Sequence, residues 1–268
     1  MKGPFDDGLT PEAVRNYLTN NYFGRIDVYE SVVSTNTLLR ERAKELPGSC
    51  AAIASEQTGG RGRRGRSFFS PAGTGLYMSM LLRPGTDAER ASDLTTIAAV
   101  AVCQSIEKVL GLEPWIKWVN DVYLGRRKVC GILTEAISSP GAVTVDCTIV
   151  GIGINVYEPE GGFPPEIADK AGALTKQRIP GLRARLAASV LDCFGGLYRR
   201  FLDGGDCTDE YRRRCGVIGR EIIVLTPGGG YDARALDVDE RCRLLTELPD
   251  GTRRTLSSGE ISIKLKDK

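Results

Sequence analysis

The chain has 268 residues, 41% of them hydrophobic and 26% charged, with a net charge of +2. This composition excludes wholesale disorder, collagen and coiled coil, and the length suffices for one or two domains with a substantial core. There is no histidine, which removes imidazole bases, Ser-His and Cys-His nucleophiles and His-ligated zinc. Any chemistry must run on Lys, Arg, Asp, Glu, backbone amides or a borrowed metal ion.

In chain order, Thr10-Pro11-Glu12 opens a short helix, with Thr as cap and Pro at the first helical position. Residues 25–33 alternate like a strand. Ser34-Thr35-Asn36 then starts a charged amphipathic helix to about residue 46. Residues 50–55 read as a strand, 57–71 as a glycine–arginine loop and 75–83 as a strand. The stretch 87–110 predicts the longest helix. Residues 115–119 form a strand, and 122–124 with 128–137 a hairpin turning at Gly125-Arg126-Arg127. A further strand covers 143–156, and 157–180 is Gly/Pro-rich loop. Helices follow at 182–202 and 206–215. Beyond Gly216 five short strands, at 222–226, 231–238, 243–248, 252–256 and 261–265, predict a small barrel or roll. A domain boundary is therefore placed near residue 215.

The eight cysteines lie at 50, 103, 130, 147, 193, 207, 215 and 242 with no CxxC spacing, and read as small buried hydrophobes in a reducing cytosol. The first seven residues lack the apolar core of a signal peptide. The apolar segment 88–110 carries Glu89, Arg90, Asp93, Glu107 and Lys108, too many charges to span a bilayer. A cytoplasmic protein without membrane contact is expected.

Four arginines, Arg61, Arg63, Arg64 and Arg66, fall within six residues of one glycine-rich loop; without them the chain is net acidic. Glycines let backbone amides approach an anion, and guanidiniums add forked donors. The span 60–65 matches GxGxxG, yet Ser67-Phe68-Phe69-Ser70-Pro71 follows, where no helix starts, so a Rossmann turn is rejected. The loop reads as a holder of a small anion, mobile when empty; a solvated loop or an RGG-like nucleic-acid tail are the alternatives. Trp115-Ile116-Lys117-Trp118-Val119-Asn120-Asp121 sets a lysine inside an apolar strand, with Trp115, Lys117 and Val119 on one face. That ammonium either snorkels to water or is aimed at developing negative charge in a pocket. Glycines interrupt the strands Cys130-Gly131-Ile132-Leu133-Thr134-Glu135 and Gly151-Ile152-Gly153-Ile154-Asn155-Val156. Either a ligand lies across the sheet or the glycines mark bulges and tight packing. Ser34-Thr35-Asn36 is equally a helix cap or a reader of an amide-like ligand edge.

Taken in order, Ser34-Thr35-Asn36, the loop 56–66, Lys117-Trp118-Val119-Asn120-Asp121, Gly131-Ile132-Leu133-Thr134-Glu135, Gly151-Ile152-Gly153-Ile154-Asn155 and Gly259-Glu260-Ile261-Ser262-Ile263 strongly resemble biotin protein ligases. The resemblance covers about residues 25–268. It implies an α+β fold: a class II aminoacyl-tRNA synthetase-like mixed sheet with helices over 25–215, after an N-terminal extension 1–24, then a small SH3-like β-barrel over 216–268. It implies activation of biotin by ATP with magnesium to biotinyl-5′-AMP, and transfer to one lysine of a biotin carboxyl carrier domain. By the same resemblance Ser34, Thr35, Asn36, Gln57, Arg61, Gly62, Arg63, Lys117, Gly131, Leu133 and Gly153 would bind biotin, with Ile132 beside them. Arg61, Arg63, Arg66, Phe68, Asn120 and Asn155 would bind the adenylate, and Lys117 and Arg63 would serve catalysis. No metal ligand is assigned.

Val119 stands where the family commonly has proline, which loosens that turn. About 24 residues precede the first core strand, too few for the N-terminal helix-turn-helix of repressor members, so DNA binding is not expected. An edge strand near 143–150 is a candidate for a homodimer contact. A lipoate or other acyl ligase of the same superfamily is the nearest alternative, and a nucleic-acid-binding regulator a distant one, because the positive charge is localised.

Overall fold

The computed structural model of the chain describes residues 8–46, 48–226, 229–257 and 260–262. Residues 1–7, Gly259 and residues 263–265 of the last expected strand therefore lie outside the described residues.

Thr10 caps α1 (Pro11–Tyr17), accepting from Ala13 N. Next come β1 (Arg25–Val32), α2 (Thr35–Arg42), β2 (Cys50–Gln57), β3 (Gly75–Leu82), α3 (Ala88–Ser92) and α4 (Leu94–Leu110). They are followed by β4 (Trp115–Lys117), β5 (Asp121–Leu124), β6 (Arg127–Ile137) and β7 (Cys147–Asn155). Helices α5 (Leu182–Leu202) and α6 (Thr208–Arg214) lead to β8 (Glu221–Thr226), β9 (Gly229–Val238), β10 (Leu244–Glu247), β11 (Arg253–Leu256) and β12 (Glu260–Ser262).

Seven strands form one sheet in the order β1-β2-β3-β7-β6-β5-β4. Only β1 and β2 run parallel; the other pairs are antiparallel, so the sheet is mixed as expected. Alternation sorts its residues onto two faces. Ala51, Ile53, Leu76, Met78, Met80, Val150, Ile152, Ile154, Cys130 and Ile132 join the core under α4 and α5. Cys50, Ala52, Leu81, Cys147 and Ile149 form a smaller cluster with Leu39, Ala43 and Leu46, around α2 on the other face. That second face, at the N-terminal end of α2, carries the site. The C-terminal strands build a separate five-stranded antiparallel sheet, β11-β10-β9-β8-β12.

Three expectations are corrected. The stretch 87–110 is not one helix: it breaks at Asp93, whose carboxylate is drawn toward Arg241 of the C-terminal sheet at 3.3 Å, and the 21-residue α5 is the longest helix among the described residues. Helix α2 stops at Arg42 because Arg83 Nη2 binds the Ala43 and Leu46 carbonyls at 2.6 and 3.0 Å. The strand read over 143–156 begins at Cys147 and lies between β3 and β6, hydrogen-bonded on both sides. It offers no free edge; the sheet's edges are β1 and β4.

The two sheets meet at the strand that carries the lysine motif. Trp118 Nε1 donates to Cys242 O at 2.8 Å in a buried contact, and Tyr211 Oη, on α6, donates to Val119 O at 3.1 Å. These bonds hold the turn where the expected proline is replaced by Val119. Arg241 pairs with Glu89 as well as Asp93, closing the same seam. Trp118→Phe leaves the buried Cys242 carbonyl unpaired and should cost about 1–3 kcal/mol, read as a lower urea midpoint at unchanged slope.

Candidate active site

Helix α2 delivers its first residues to the sheet. Ser34 is its cap, accepting from Thr37 N at 3.5 Å, and Ser34, Thr35 and Asn36 are all buried. Gln57, at the end of β2, receives Thr35 N–H on Oε1 at 2.9 Å and gives its own amide to Ser70 Oγ at 3.1 Å. Ser70 in turn donates to Phe68 O. The capping and ligand-reading descriptions of Ser34-Thr35-Asn36 thus both hold: the cap brings polar atoms to a cavity wall.

The arginine loop is a small hairpin. Arg61 bridges Ser67, Gly62 N donates to Arg66 O at 2.7 Å, and Phe68 N donates to Gly60 O at 2.9 Å. A Cβ on Gly60 would meet Phe68 O at 2.4 Å, so only glycine fits there. The tip is a 3-10 turn, Arg63–Gly65, with Arg64 left-handed at φ 56°. Its like charges are dispersed onto separate partners. Arg61 Nη1 lies 3.4 Å from Glu135 Oε1, and Arg63 Nη1 donates to Asn120 Oδ1 at 2.9 Å.

The glycines on β6 and β7 are explained by side chains of the chain itself. A Cβ on Gly151 would stand 2.1 Å from Asn36 Oδ1, and one on Gly153 2.5 Å from the Phe68 ring. A Cβ on Gly131, the register partner of Gly153, would stand 3.1 Å from the Phe68 ring and 3.2 Å from Lys128 Nζ. Phe68 therefore lies on a glycine patch, edge-on to Tyr77 at 6.5 Å.

Among the described residues, three cavities border the hairpin; one, about 400 Å³, runs from Arg63 and Arg64 past Ile132 and Leu133 to Arg241 and Cys242, and the other two lie beneath the hairpin. The inner one, about 60 Å³, is lined by Ser34, Thr35, Asn36, Gln57, Arg61, Gly62, Arg63, Phe68, Gly131, Ile132, Leu133 and Gly153, together with Asn120, Lys128, Gly151 and Ile152. The outer one, about 160 Å³, is lined by Arg63, Arg64, Arg66, Phe68, Lys117, Asn120, Asp121 and Lys128, among others. Gly62, Arg63, Phe68, Asn120 and Lys128 belong to both. Of the residues expected to bind biotin, all but Lys117 line the inner cavity. Lys117 faces the outer one alone, its Nζ 5.7 Å from the Tyr123 ring centre. Asn155 lines neither: its amide donates to Gly172 O at 3.0 Å and holds the loop beyond β7.

Sequence reasoning missed four residues. Lys128 pairs with Asp121 at 2.7 Å and stands at the junction of the cavities. Strict alternation would turn Lys128 away from Gly131 and Leu133. The β5–β6 register shifts between Val122 and Tyr123, leaving Val129 and Cys130 both buried, and this irregularity brings Lys128 round to the ligand face. Ser79, Arg40 and Glu135 were missed because each is an ordinary strand or helix residue in sequence. Together they satisfy Asn36 (Glu135 Oε2 at 2.8 Å, Ser79 Oγ at 2.6 Å) and neutralise Glu135 (Arg40 Nη2 at 2.7 Å). Burial pushes the Tyr77 hydroxyl up to about 12, so it stays neutral behind Phe68 and donates to Pro71 O at 3.1 Å. All eight cysteines are free thiols; Cys130, buried beside Gly131, is pushed well above its usual range.

A family model described as the biotin/lipoate A/B protein ligase family matches residues 28–155, and one described as the biotin protein ligase C terminal domain matches 217–264. The bifunctional ligase/repressor BirA of Bacillus subtilis is 32% identical over 93% of this chain and 78% of its own length. The chain belongs to the biotin/lipoate A/B protein ligase family. A biotin–[acetyl-CoA-carboxylase] ligase of Mycobacterium tuberculosis is 28% identical over 88% of each chain. The solved biotin protein ligase of Aquifex aeolicus, in complex with biotin and ATP, superposes with a TM-score of 0.75 at 28% identity, covering 90% of this chain and 98% of that one. Within this family fold, Gly151→Ala forces Asn36 off the sheet and should destabilise the protein by about 1–3 kcal/mol, read as a lower melting temperature.

Proposed function

We propose that the protein is an ATP-dependent biotin protein ligase that forms biotinyl-5′-AMP and transfers the biotinyl group to a lysine of a biotin carboxyl carrier domain. The observation that carries this reading is the pair of joined cavities. The inner one has amide and hydroxyl groups at its end, suited to a cyclic urea; the outer one is lined with Arg63, Arg64, Arg66, Lys117 and Lys128, suited to phosphates. A lipoyl tail, lacking a urea, would leave Thr35 and Gln57 facing an apolar ring. Sites for ligands of this size run to about 300–1,000 Å³; the inner cavity is smaller, and Phe68 lying over Gly153 is the group whose displacement would enlarge it.

In the first step a carboxylate oxygen attacks the α-phosphorus of ATP and pyrophosphate leaves. The nucleophile is ionised at neutral pH and needs no base, which is why a chain without histidine suffices. The barrier is charge repulsion, lowered by cations placed along the path. Lys128, at the junction, is the ammonium best placed to bridge the carboxylate and the α-phosphate, with Arg63 beside it and Lys117 toward the phosphates. Among the described residues no group of three or more Asp, Glu or Cys is assembled; magnesium held mainly by phosphates and water needs only one carboxylate, and Asp121 with Asn120 offers it. There it would neutralise charge on the leaving pyrophosphate. In the second step the acceptor amine attacks the acyl carbon and AMP leaves, behind a hairpin that keeps water from the mixed anhydride. We place the catalytic domain at 25–215 and an SH3-like domain at 216–268, in a cytoplasmic enzyme.

Incubation with biotin, ATP, Mg²⁺ and a carboxyl carrier domain should add one biotinyl group to the carrier by intact mass; no addition overturns the reading. Lys128→Ala should lower ATP–pyrophosphate exchange by a factor on the order of 10²–10³, more than Lys117→Ala does; the reverse order would assign the bridging role to Lys117. Arg63→Gly breaks the Asn120 contact that closes the hairpin and should release adenylate, seen as lysine biotinylation of a bystander protein.

A further inference from the structure

Glu135 lies on β6 just outside the cavity wall, its side chain 13% exposed. It is not a cavity-lining residue, yet a chain of polar atoms runs from it to the pocket floor. Oε2 accepts from Asn36 Nδ2 at 2.8 Å; Oε1 meets Arg40 at 2.7 Å and Arg61 at 3.4 Å. A carboxylate between two guanidiniums accepts hydrogen bonds and donates none.

That restriction propagates. Asn36 must turn its amino group to Glu135, where it also reaches Leu133 O at 3.3 Å, so its Oδ1 must face Ser79. Ser79 Oγ is fully buried and stands 2.6 Å from both Asn36 Oδ1 and Thr35 Oγ1. It has one proton, and the amide oxygen can only accept, so that proton goes to Asn36. The proton on Thr35 Oγ1 is then drawn to Ser79 at 2.6 Å rather than to Gln57 Oε1 at 3.1 Å. At the pocket end of the chain, Thr35 Oγ1 keeps lone pairs. With the Thr35 hydroxyl proton turned to Ser79, Gln57 Oε1 holds only Thr35 N–H and keeps one as well.

We infer that Glu135 is a positioning residue that sets the direction of this hydrogen-bond chain, so that the floor of the inner cavity presents acceptors and selects a ligand with ring N–H donors. The inference rests on the biotin reading and deepens it: the selected group is the N–H of the cyclic urea. In Glu135→Gln the chain can run the other way. The new side-chain amide donates to Asn36 Oδ1, Asn36 donates to Ser79, Ser79 donates to Thr35, and Thr35 turns its proton to Gln57 Oε1 at 3.1 Å, which takes away an acceptor from the cavity.

The test compares the binding of biotin with that of its cyclic carbonate analogue, in which both ring N–H groups are oxygen, by calorimetry without ATP. The wild-type protein should prefer biotin by about 10²-fold or more, since buried acceptors are left unpaired by the carbonate. Glu135→Gln should reduce that preference at least about tenfold. Ser79→Ala, which cuts the chain but leaves the carboxylate and both arginines in place, should reduce it similarly. General damage to the pocket weakens both ligands together and leaves the ratio unchanged; an unchanged ratio in either folded variant overturns the inference. Failure of the wild-type protein to bind biotin at all overturns the functional reading instead, and the inference with it.

Discussion

The site depends on one packing constraint: side chains lie directly on the backbone of the sheet. Three glycines on two adjacent strands, Gly131, Gly151 and Gly153, make the approach possible. A methyl group on Gly151 or Gly153 would overlap Asn36 or Phe68 by an ångström or more relative to ordinary contact. Polar atoms of α2 can therefore reach Ser79 and Glu135 on the strands, and the hairpin can lay the Phe68 ring directly on Gly131 and Gly153. On a sheet face of ordinary residues both would stand one side-chain layer higher, and the cavity floor would be apolar.

The second organising feature is how cations are shared among cavities. Four arginines in one hairpin repel one another. The fold answers by giving Arg61 a carboxylate on β6 and Arg63 the amide oxygen of Asn120. Asn120 is itself clamped, its Nδ2 donating to Ile132 O at 2.9 Å and its carbonyl accepting from Ile132 N. The hairpin is thus referred to β6 at both Arg61 and Arg63. Any motion of the hairpin must exchange these partners for others, and anionic oxygens of a ligand are the natural replacements. The C-terminal sheet contributes at one remove: the Cys242 carbonyl and the Arg241 ion pairs fix the turn after Lys117, and so the frame from which Asn120 and Asp121 project.

Much of this was legible in the chain. The cap at Thr10, the glycine–arginine loop, the hairpin at Gly125 and the shift to short strands after Gly216 follow from local rules, because caps, turns and alternation are decided within a few residues. The helix break at Asp93 was not legible, since a partner 148 residues away pulls on that carboxylate. Nor was the interior place of β7, since pairing order in a sheet depends on strands far apart in sequence.

The sequence by itself determined the chemical inventory: no imidazole, a concentrated cluster of guanidiniums, lysines inside strands, and glycines where bulk would be expected. These are properties of residue type and spacing and need no fold. Only the tertiary structure decided which lysine stands between the two cavities. The β5–β6 irregularity swings Lys128 onto the face that strict alternation denies it, while Lys117 rests against Tyr123 in the outer cavity. It also decided that Glu135 governs the pocket floor, because a hydrogen-bond chain through residues 36, 79 and 135 exists only once a helix and two non-adjacent strands are brought together.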